Sequence, residues 1–126
     1  MASFSAGIAK YAKKTGSSID NAVSQICATA STSIIKMTPA DTGRARGNWF
    51  ATIDEVSSET SETRREGEAM ADAMAKSKKA AGHIFNLTNN LSYIRPLEYG
   101  HSKQAKDPDG MVRITVEKIT TSLKRL

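Results

Sequence analysis

The sequence predicts one α+β domain with helices at both ends and two short strands between them. Two observations lead to this class. Apolar residues recur at intervals of three and four near both ends of the chain, as in amphipathic helices, whereas two short apolar stretches in the middle favour strands. The length agrees, because 126 residues suffice for one modest hydrophobic core and hence for a single domain over residues 1–126.

The first element is predicted to be helical from Ser3 to Met37. Its periodic apolar residues are Phe4, Ile8, Tyr11, Ile19, Val23, Ile26, Ala30 and Ile34. The stretch 15–18 (TGSS) interrupts this period and offers an N-cap to a second helix, so we expect either one long bent helix or two in tandem. The pair Thr38-Pro39 should end it, because the residue before a proline disfavours the helical conformation.

A turn-rich linker over residues 39–47 carries Arg44 and Arg46 and leads into the first predicted strand, residues 48–56. Residues 57–67 follow and contain no apolar residue. Such a segment cannot contribute to a hydrophobic core, and we predict that it is a mobile acidic loop.

The second half of the chain alternates helices with a strand. Residues 68–81 are rich in Ala, Met and Lys, which are good helix formers, and Gly82 is placed to end that helix. Residues 83–89 predict the second strand. Ser92 can then cap a short helix over residues 93–99.

The last segment, residues 111–126, carries two periodicities. Val112, Ile114 and Val116 alternate as in a strand, whereas a repeat of three and four that runs on to Leu123 is typical of a helix. The helical repeat covers more of the segment, so we predict a helix.

Charge is unevenly distributed along the chain. The formal net charge is +5, but residues 54–72 contain seven acids and only two arginines, a net charge of −5. The remaining residues hold 16 bases and six acids. This arrangement indicates neighbours of both signs, a polyanion on one side and a basic surface on another, or alternatively no more than a solvated loop.

No motif of the sequence predicts an enzyme. The two histidines and the single cysteine, Cys27, include no close-spaced pair of zinc ligands, and Gly-rich phosphate loops and nucleophile elbows are absent. Glu98 and His101 could form an acid–base pair, but Gly100 between them is better explained as the end of a helix. We therefore expect no catalytic residue, no metal and no cofactor.

The composition also favours a chain kept in a reducing cytoplasm. No stretch approaches the roughly 20 apolar residues that a membrane-spanning helix needs, and the N-terminus lacks the charge order of a signal peptide. Cys27 lies at helical spacing from Val23 and Ala30, so it is interpreted as a small core residue. We expect no membrane partner.

Two segments carry a resemblance to a known family. Residues 38–49 read TPADTGRARGNW, with the pattern TP-x-DTG-R-x-R-x-x-W, and residues 93–102 read YIRPLEYGHS, with the pattern Y-x-x-x-x-E-Y-G. Residues 110–113 (GMVR) then open the last helix. In this order and spacing the segments resemble the neck or tail-completion (head–tail joining) proteins of long-tailed bacteriophages. The resemblance covers about residues 35–60 and 83–126.

The resemblance implies an α+β subunit in which a long N-terminal helix and a C-terminal helix pack on a small, mostly antiparallel sheet. It implies a structural virion protein that is assembled in the cytoplasm of the host bacterium and forms a ring, expected to be hexameric, between head connector and tail tube. The role would be tail completion or tail termination. The partners would be further copies of the chain, other neck, connector and tail proteins, and, through non-specific contacts, the genomic DNA in the channel.

The resemblance and the charges together assign roles to seven residues. Arg44 and Arg46, on the linker, are expected to face the DNA channel or to contact a neighbouring subunit, although an exposed turn would explain them equally well. Packing or interface anchors are expected at Trp49, Tyr93, Glu98, Tyr99 and Gly100. The three aromatic residues would hold the sheet to the short helix, and the glutamate would fix the turn at the glycine through backbone amides.

Two other functions remain open from the sequence. A small basic cytoplasmic nucleic-acid-binding protein agrees with the isoelectric point of about 9.5, but no recognition helix, RNA-binding strand motif or dense basic stripe supports it. A toxin–antitoxin or small regulatory module is favoured only by the size of the chain.

Overall fold

A computed structural model describes residues 4–39, 43–99 and 110–125. The helices are α1 (Phe4–Thr15), α2 (Ile19–Met37), α3 (Arg44–Gly47), α4 (Glu66–Ser77), α5 (Ile94–Glu98) and α6 (Met111–Lys124), and the strands are β1 (Phe50–Ile53) and β2 (Phe85–Thr88). The strands form one antiparallel sheet. The predicted α+β class is confirmed, and the last segment is a helix.

The N-terminal segment consists of two helices in tandem. Gly16, with φ of 69°, lies between them in a left-handed conformation that glycine adopts without steric cost. Ser18 is the N-cap of α2, and its hydroxyl accepts the amide of Asn21 at 3.1 Å. At the other end Thr38 leaves the helix in an extended conformation, as the proline that follows it requires.

The sheet is short and is held in a fixed register. Ala51 lies opposite Leu87, and Ile53 lies opposite Phe85. Each strand has only four residues, fewer than predicted. Strand β1 ends at Ile53 because the next residue, Asp54, adopts a φ of 68° and turns the chain away from the sheet.

Helix α4 also differs from its predicted bounds. It begins two residues earlier, where Glu66 and Glu68 supply negative charge to its first turn, and it ends at Ser77 rather than at Ala81. The hydroxyl of Ser77 donates to the carbonyl of Ala73 at 2.6 Å, an alternative to continued helical bonding. Gly82, the predicted stop, lies in the turn that follows.

Helix α2 is central to the packing. It contacts α1 and α6, and it also contacts α4, which in turn packs on both strands. Short side chains such as Ala69 and Ala73 let α4 approach closely. The core cluster consists of Ile34, Ile35, Ala45, Trp49, Ala51, Ala69, Ala73, Leu91, Leu97 and Met111. It therefore joins α2, α3, α4, β1, α5 and the start of α6 in one interior.

The short helix α5 begins differently from the prediction. Its N-cap is Tyr93, and no side chain caps it, so the expected role of Ser92 was wrong. The preceding turn is closed instead by Asn89, whose Oδ1 accepts the amide of Leu91 at 3.2 Å. Gly100 lies outside the described residues, as do residues 40–42 of the linker.

Candidate functional site

Arg46 of the first motif is bonded to the end of α2. Its Nε donates to the carbonyl of Thr38 at 2.6 Å and its NH2 group to the carbonyl of Lys36 at 2.8 Å. A third nitrogen lies 3.4 Å from a carboxylate oxygen of Glu66. A cation is favourable at the C-terminus of a helix, where carbonyls lack intrahelical partners. Only 17% of the side chain is exposed, so most of this guanidinium is occupied by contacts within the domain.

Arg44, the other arginine of this motif, is half-buried at the first position of α3. Its carbonyl accepts Nδ2 of Asn48 at 2.7 Å. The intermediate burial means that the domain itself covers part of this side chain, and the expected contact with the DNA channel or a neighbouring subunit stays a prediction.

Trp49 lies in the core, with 5% of its surface exposed. Its indole Nε1 donates to the hydroxyl of Thr38 at 3.0 Å, and that hydroxyl donates to the carbonyl of Ile34 at 2.7 Å. A buried indole N–H needs such a partner. The chain of two hydrogen bonds ties the start of β1 to the end of α2. Because the ring is buried, no face of it is open for stacking on a base.

Arg64, which the sequence placed in a loop, is bonded to the first motif and to β1. One NH1 group donates to the carbonyls of Gly47 and Trp49 at 2.8 and 2.7 Å, and NH2 donates to Asp72 at 2.9 Å. Its guanidinium also lies 4.1 Å from the centre of the Phe50 ring. The side chain is 15% exposed, so these contacts are shielded from solvent.

Asp72 and Lys76 extend these contacts from α4 to the sheet. Asp72 accepts the amide of Ala51 at 2.8 Å, and Lys76 donates to Asp72 at 3.0 Å and to the carbonyl of Ala51 at 3.2 Å. We call Arg64, Asp72 and Lys76, with the backbone groups that they bind, the Arg64 network. It fixes α4, β1 and the first motif against one another.

The polar segment 57–67 is attached at further points. The buried amide of Asn48 donates to the carbonyl of Ser61 and accepts its amide, both at 2.7 Å. Asn90 Nδ2 donates to two more carbonyls of the segment, at 2.9 and 3.0 Å. Gly47 lies so close that a Cβ on it would be 2.0 Å from the carbonyl oxygen of Arg64. The predicted mobility of this segment stays a prediction, but its backbone is bonded to the first motif.

Glu98 of the second motif caps α6. Its Oε1 accepts the amide of Val112 at 2.9 Å, and Oε2 accepts the amide and the Nε of Arg113, each at 3.1 Å. Its carbonyl accepts NH2 of Arg113 at 2.7 Å. We call this arrangement the Glu98 cap. Glu98 thus binds backbone amides of α6. Its expected role at the turn of Gly100 lies outside the described residues and stays a prediction.

Gly110 is the residue that makes the Glu98 cap sterically possible. It has a φ of 86°, and a Cβ there would lie 2.4 Å from both the carbonyl oxygen and Oε2 of Glu98. Because Gly110 has no side chain to cap α6, the carboxylate from α5 satisfies the free amides instead. The E-Y-G and G-M-V-R stretches are thus two halves of one contact.

The two predicted tyrosine anchors differ. Tyr93 is half-buried and packs against the core cluster. Tyr99 is 45% exposed, and the guanidinium of Arg113 lies 4.6 Å from the centre of its ring. Tyr99 therefore contacts α6, whereas Tyr93 contacts the core.

An acidic and partly apolar surface lies at the end of the sheet. Val56 and Ile84 are 69% and 66% exposed. Asp54 belongs to the same surface and is bonded to Ile84. Its amide donates to the carbonyl of Ile84 at 2.7 Å, and its Oδ1 accepts the amide of Ile84 at 2.9 Å. Four exposed carboxylates nearby in sequence form no ion pair within the part of the chain that the structure describes: Glu55, Glu59, Glu62 and Glu68.

Asp54 is the described acid whose ionisation is clearly perturbed. The hydrogen bond from the Ile84 amide, followed by that from His83 Nδ1 at 2.8 Å, lowers the pKa of its carboxyl group. Both contacts favour the charged form. The turn at the end of β1 is therefore strongest when Asp54 is ionised.

A cleft of about 380 Å³ lies between α1, α2 and α6. Its walls are mostly apolar and include Tyr11, Ile26, Ile119 and Leu123, and Lys118 lies at its edge. A second, polar depression lies on the other side of α2. It is lined by Ser24 of α2 together with Lys78, Lys79 and His83.

Little in the described residues favours catalysis or metal binding. Burial raises the pKa of the Cys27 thiol, which keeps it protonated and a weak nucleophile. Among residues 4–39, 43–99 and 110–125 there is no group of three His, Cys, Asp or Glu side chains that could hold a metal ion. Within the same ranges no helix is both long and apolar enough to cross a bilayer.

The described residues of the two motifs therefore make their contacts mainly within the domain, while the acidic sheet end and the apolar cleft remain exposed. Comparisons of this chain with models of protein families, with curated proteins and with solved structures find no match.

Proposed function

We propose that this chain is a structural subunit of the neck or tail joint of a long-tailed bacteriophage. In this proposal copies of the chain form a ring, expected to be hexameric, between the head connector and the tail tube around the DNA channel. The ring completes or terminates the tail, and the chain performs no catalysis and binds no cofactor. Its partners are its own copies and the neck, connector and tail proteins on either side.

The observation that carries the proposal is that residues of both motifs belong to one hydrophobic core. Trp49 from the first motif and Leu97 from the second belong to the same buried cluster, and Glu98 holds the helix that follows. The order and spacing that resemble the phage proteins are thus the order and spacing that this fold needs. A ring subunit requires a fixed shape of this kind rather than a reactive site.

The charge distribution supports ring formation. Helices α1 and α6 together contain six basic residues and one acid, whereas residues 54–68 contain six acids and two arginines. In a ring, one surface of each subunit meets a different surface of the next. Surfaces of opposite charge favour such head-to-tail contacts and disfavour contacts between like surfaces.

The experiment that tests the proposal is sedimentation of a nuclease-treated lysate from the native source. We expect the protein to sediment with large particles at a fixed stoichiometry, at which point imaging of the particles can locate its ring. Recovery of the protein only in the slowly sedimenting fraction contradicts the proposal.

The polar depression favours a second candidate, a small nucleic-acid-binding protein. Lys78 and Lys79 are exposed there beside His83, and such groups bind phosphates without reading sequence. Asp20 lies in the same depression and opposes this charge. This candidate would be favoured by slow sedimentation of the protein in the nuclease-treated lysate. In a separate binding measurement the protein should bind added DNA and be released from it at about 0.5 M salt, as competition by counterions requires.

A further inference from the structure

We propose that the cleft between α1, α2 and α6 receives the exposed sheet end of the next copy of this chain. The inserting group consists of Val56 and Ile84, which we call the knob. This inference rests on the proposed ring and specifies its contact between subunits.

The cleft has the size and character to receive apolar side chains. Its volume of about 380 Å³ equals that of roughly a dozen liquid water molecules. Its floor includes Thr115, whose hydroxyl is already bonded to Ser33 at 2.9 Å, so the polar group there has a partner. Displacing water from the apolar walls around this floor favours association.

The knob has the complementary character. Val56 and Ile84 are among the most exposed large apolar side chains of the described residues. The two hydrogen bonds between Asp54 and Ile84 hold this end of the sheet in one shape, and Asn86 contributes a longer one of 3.4 Å to the carbonyl of Glu55. A pre-shaped apolar group loses little conformational entropy on binding.

Knob and cleft lie on opposite sides of α2. Ile26 lines the cleft, whereas Ser24 lines the polar depression together with Ile53 and His83 at the sheet end. Residues two positions apart on a helix point about 200° apart. The chain therefore presents the end of the sheet, next to which the knob lies, on one side and the cleft on the other. Contacts of this head-to-tail kind repeat from subunit to subunit and close into a ring when the rotation between subunits allows it.

The charges beside the cleft and beside the knob are opposite in sign, which favours a second copy of this chain as the partner. Lys118 is exposed at the edge of the cleft, and Glu55 is exposed beside Val56, with no ion-pair partner among the described residues. With the knob in the cleft, Glu55 of one copy faces Lys118 of the next. The same charges repel a contact between two knobs or between two clefts.

Directed disulfide formation tests the contact. Two variants are made in a Cys27→Ser background, one with Val56→Cys and the other with Lys118→Cys. They are mixed under mild oxidation at about 1 mM protein, a concentration that populates even a contact with a Kd of 1 mM. We expect a disulfide between the two variants. The matched control replaces Val56→Cys by Met74→Cys, an exposed apolar position on α4, and should form little or none.

A charge exchange tests the ion pair separately. In sedimentation equilibrium Lys118→Glu should weaken self-association about three- to five-fold, the effect of an exposed ion pair, and Glu55→Lys in the same chain should restore it. Restoration distinguishes a specific contact from a general effect of net charge.

Three outcomes of the mixing experiment overturn the inference. They are absence of the mixed disulfide, equal reaction of the Met74 control, and reaction of either variant only with itself. Cross-linking of the Lys118→Cys variant to a different virion protein would also overturn it, because another protein would then occupy the cleft. If the chain sediments with particles but the mixed disulfide does not form, the proposed function stands and this contact is wrong.

Discussion

The Arg64 network and the Glu98 cap each hold one motif in place, but they do so in different ways. In the Arg64 network three charged side chains from a loop and a helix bind the backbone at Gly47, Trp49 and Ala51. In the Glu98 cap a single carboxylate binds the first turn of one helix. The comparison teaches that the first contact joins several elements at once, so its loss should destabilise the whole domain, whereas loss of the second should loosen α6 alone.

The largest loss of stability is expected from a substitution at Gly47, whose carbonyl is bound by Arg64. Gly47→Ala places a Cβ 2.0 Å from the carbonyl oxygen of Arg64 and 2.7 Å from the amide nitrogen of Arg65, so backbone must move. We expect a loss of about 3 kcal/mol or more in the free energy of unfolding, measured by urea denaturation. The matched control is Gly67→Ala in α4, where a Cβ meets nothing within 4 Å and alanine is the better helix former. Equal stability of the two variants would contradict this close approach.

Arg64→Ala should have the next largest effect. It removes the Arg64 donor from the shielded carbonyls of Gly47 and Trp49 and one of the three donors to Asp72, and we expect a loss of about 2–4 kcal/mol in the same measurement. The neighbouring Arg65→Ala removes an exposed guanidinium whose hydrogen bonds to described residues go to carbonyls close in sequence, and it should lose less than about 1 kcal/mol. If both variants lost the same amount, the network would not join the elements as described.

Glu98→Ala should cost less and should act locally. Removal of a cap typically destabilises a helix by about 1–2 kcal/mol. Hydrogen exchange should accelerate at the amides of Val112 and Arg113 before it does so in α2 or α4. Glu117→Ala, at an exposed position on α6, is the control and should leave these amides unchanged. Uniform acceleration throughout the domain would mean that the Glu98 cap is as global as the Arg64 network.

The smallest effect on stability is expected at Asp54, which belongs to neither the Arg64 network nor the Glu98 cap. Because its pKa is lowered in the folded chain, its contribution to stability is present above the unfolded value, near 3.8, and is lost as the pH falls through the lower folded value. We expect the carboxyl resonance of Asp54 to titrate below pH 3.8 and the Ile84 amide to shift with it. Asp54→Asn, which tolerates the positive φ, should remove this titration. A midpoint at or above 3.8 would contradict the assignment.

The sequence predicted the elements better than it predicted the contacts between them. Apolar periodicity indicated α1, α2 and α6, and the TGSS stretch indicated the break between the first two. The Arg64 network left no such signal. Arg64 lies in a segment without apolar residues, and its partners are backbone groups about 15 residues away, so only the folded chain brings them together.

Glu98 was a partial success of sequence reasoning. Its function of binding amides was expected, but the amides belong to residues 14 and 15 positions further along the chain. A signal was available. The last helix begins at Met111 after Gly110, a residue with no side chain to cap it, so an acceptor had to come from elsewhere. Arg46 was likewise expected to face the DNA channel or to contact a neighbouring subunit. Its partners are backbone carbonyls at the end of α2, and no sequence pattern indicates which carbonyls a side chain will bind.

The Glu98 cap also has a consequence for how the chain tolerates insertions. Because Gly110 fits directly against Glu98, the two ends of the connection between α5 and α6 are held together independently of the length of chain between them. The entropy of closing a loop rises only with the logarithm of its length, by about 0.6 kcal/mol for each doubling. An affinity tag or a fluorescent label inserted between these two residues should therefore leave the Glu98 cap and the fold intact, which makes this connection a suitable place to label the chain.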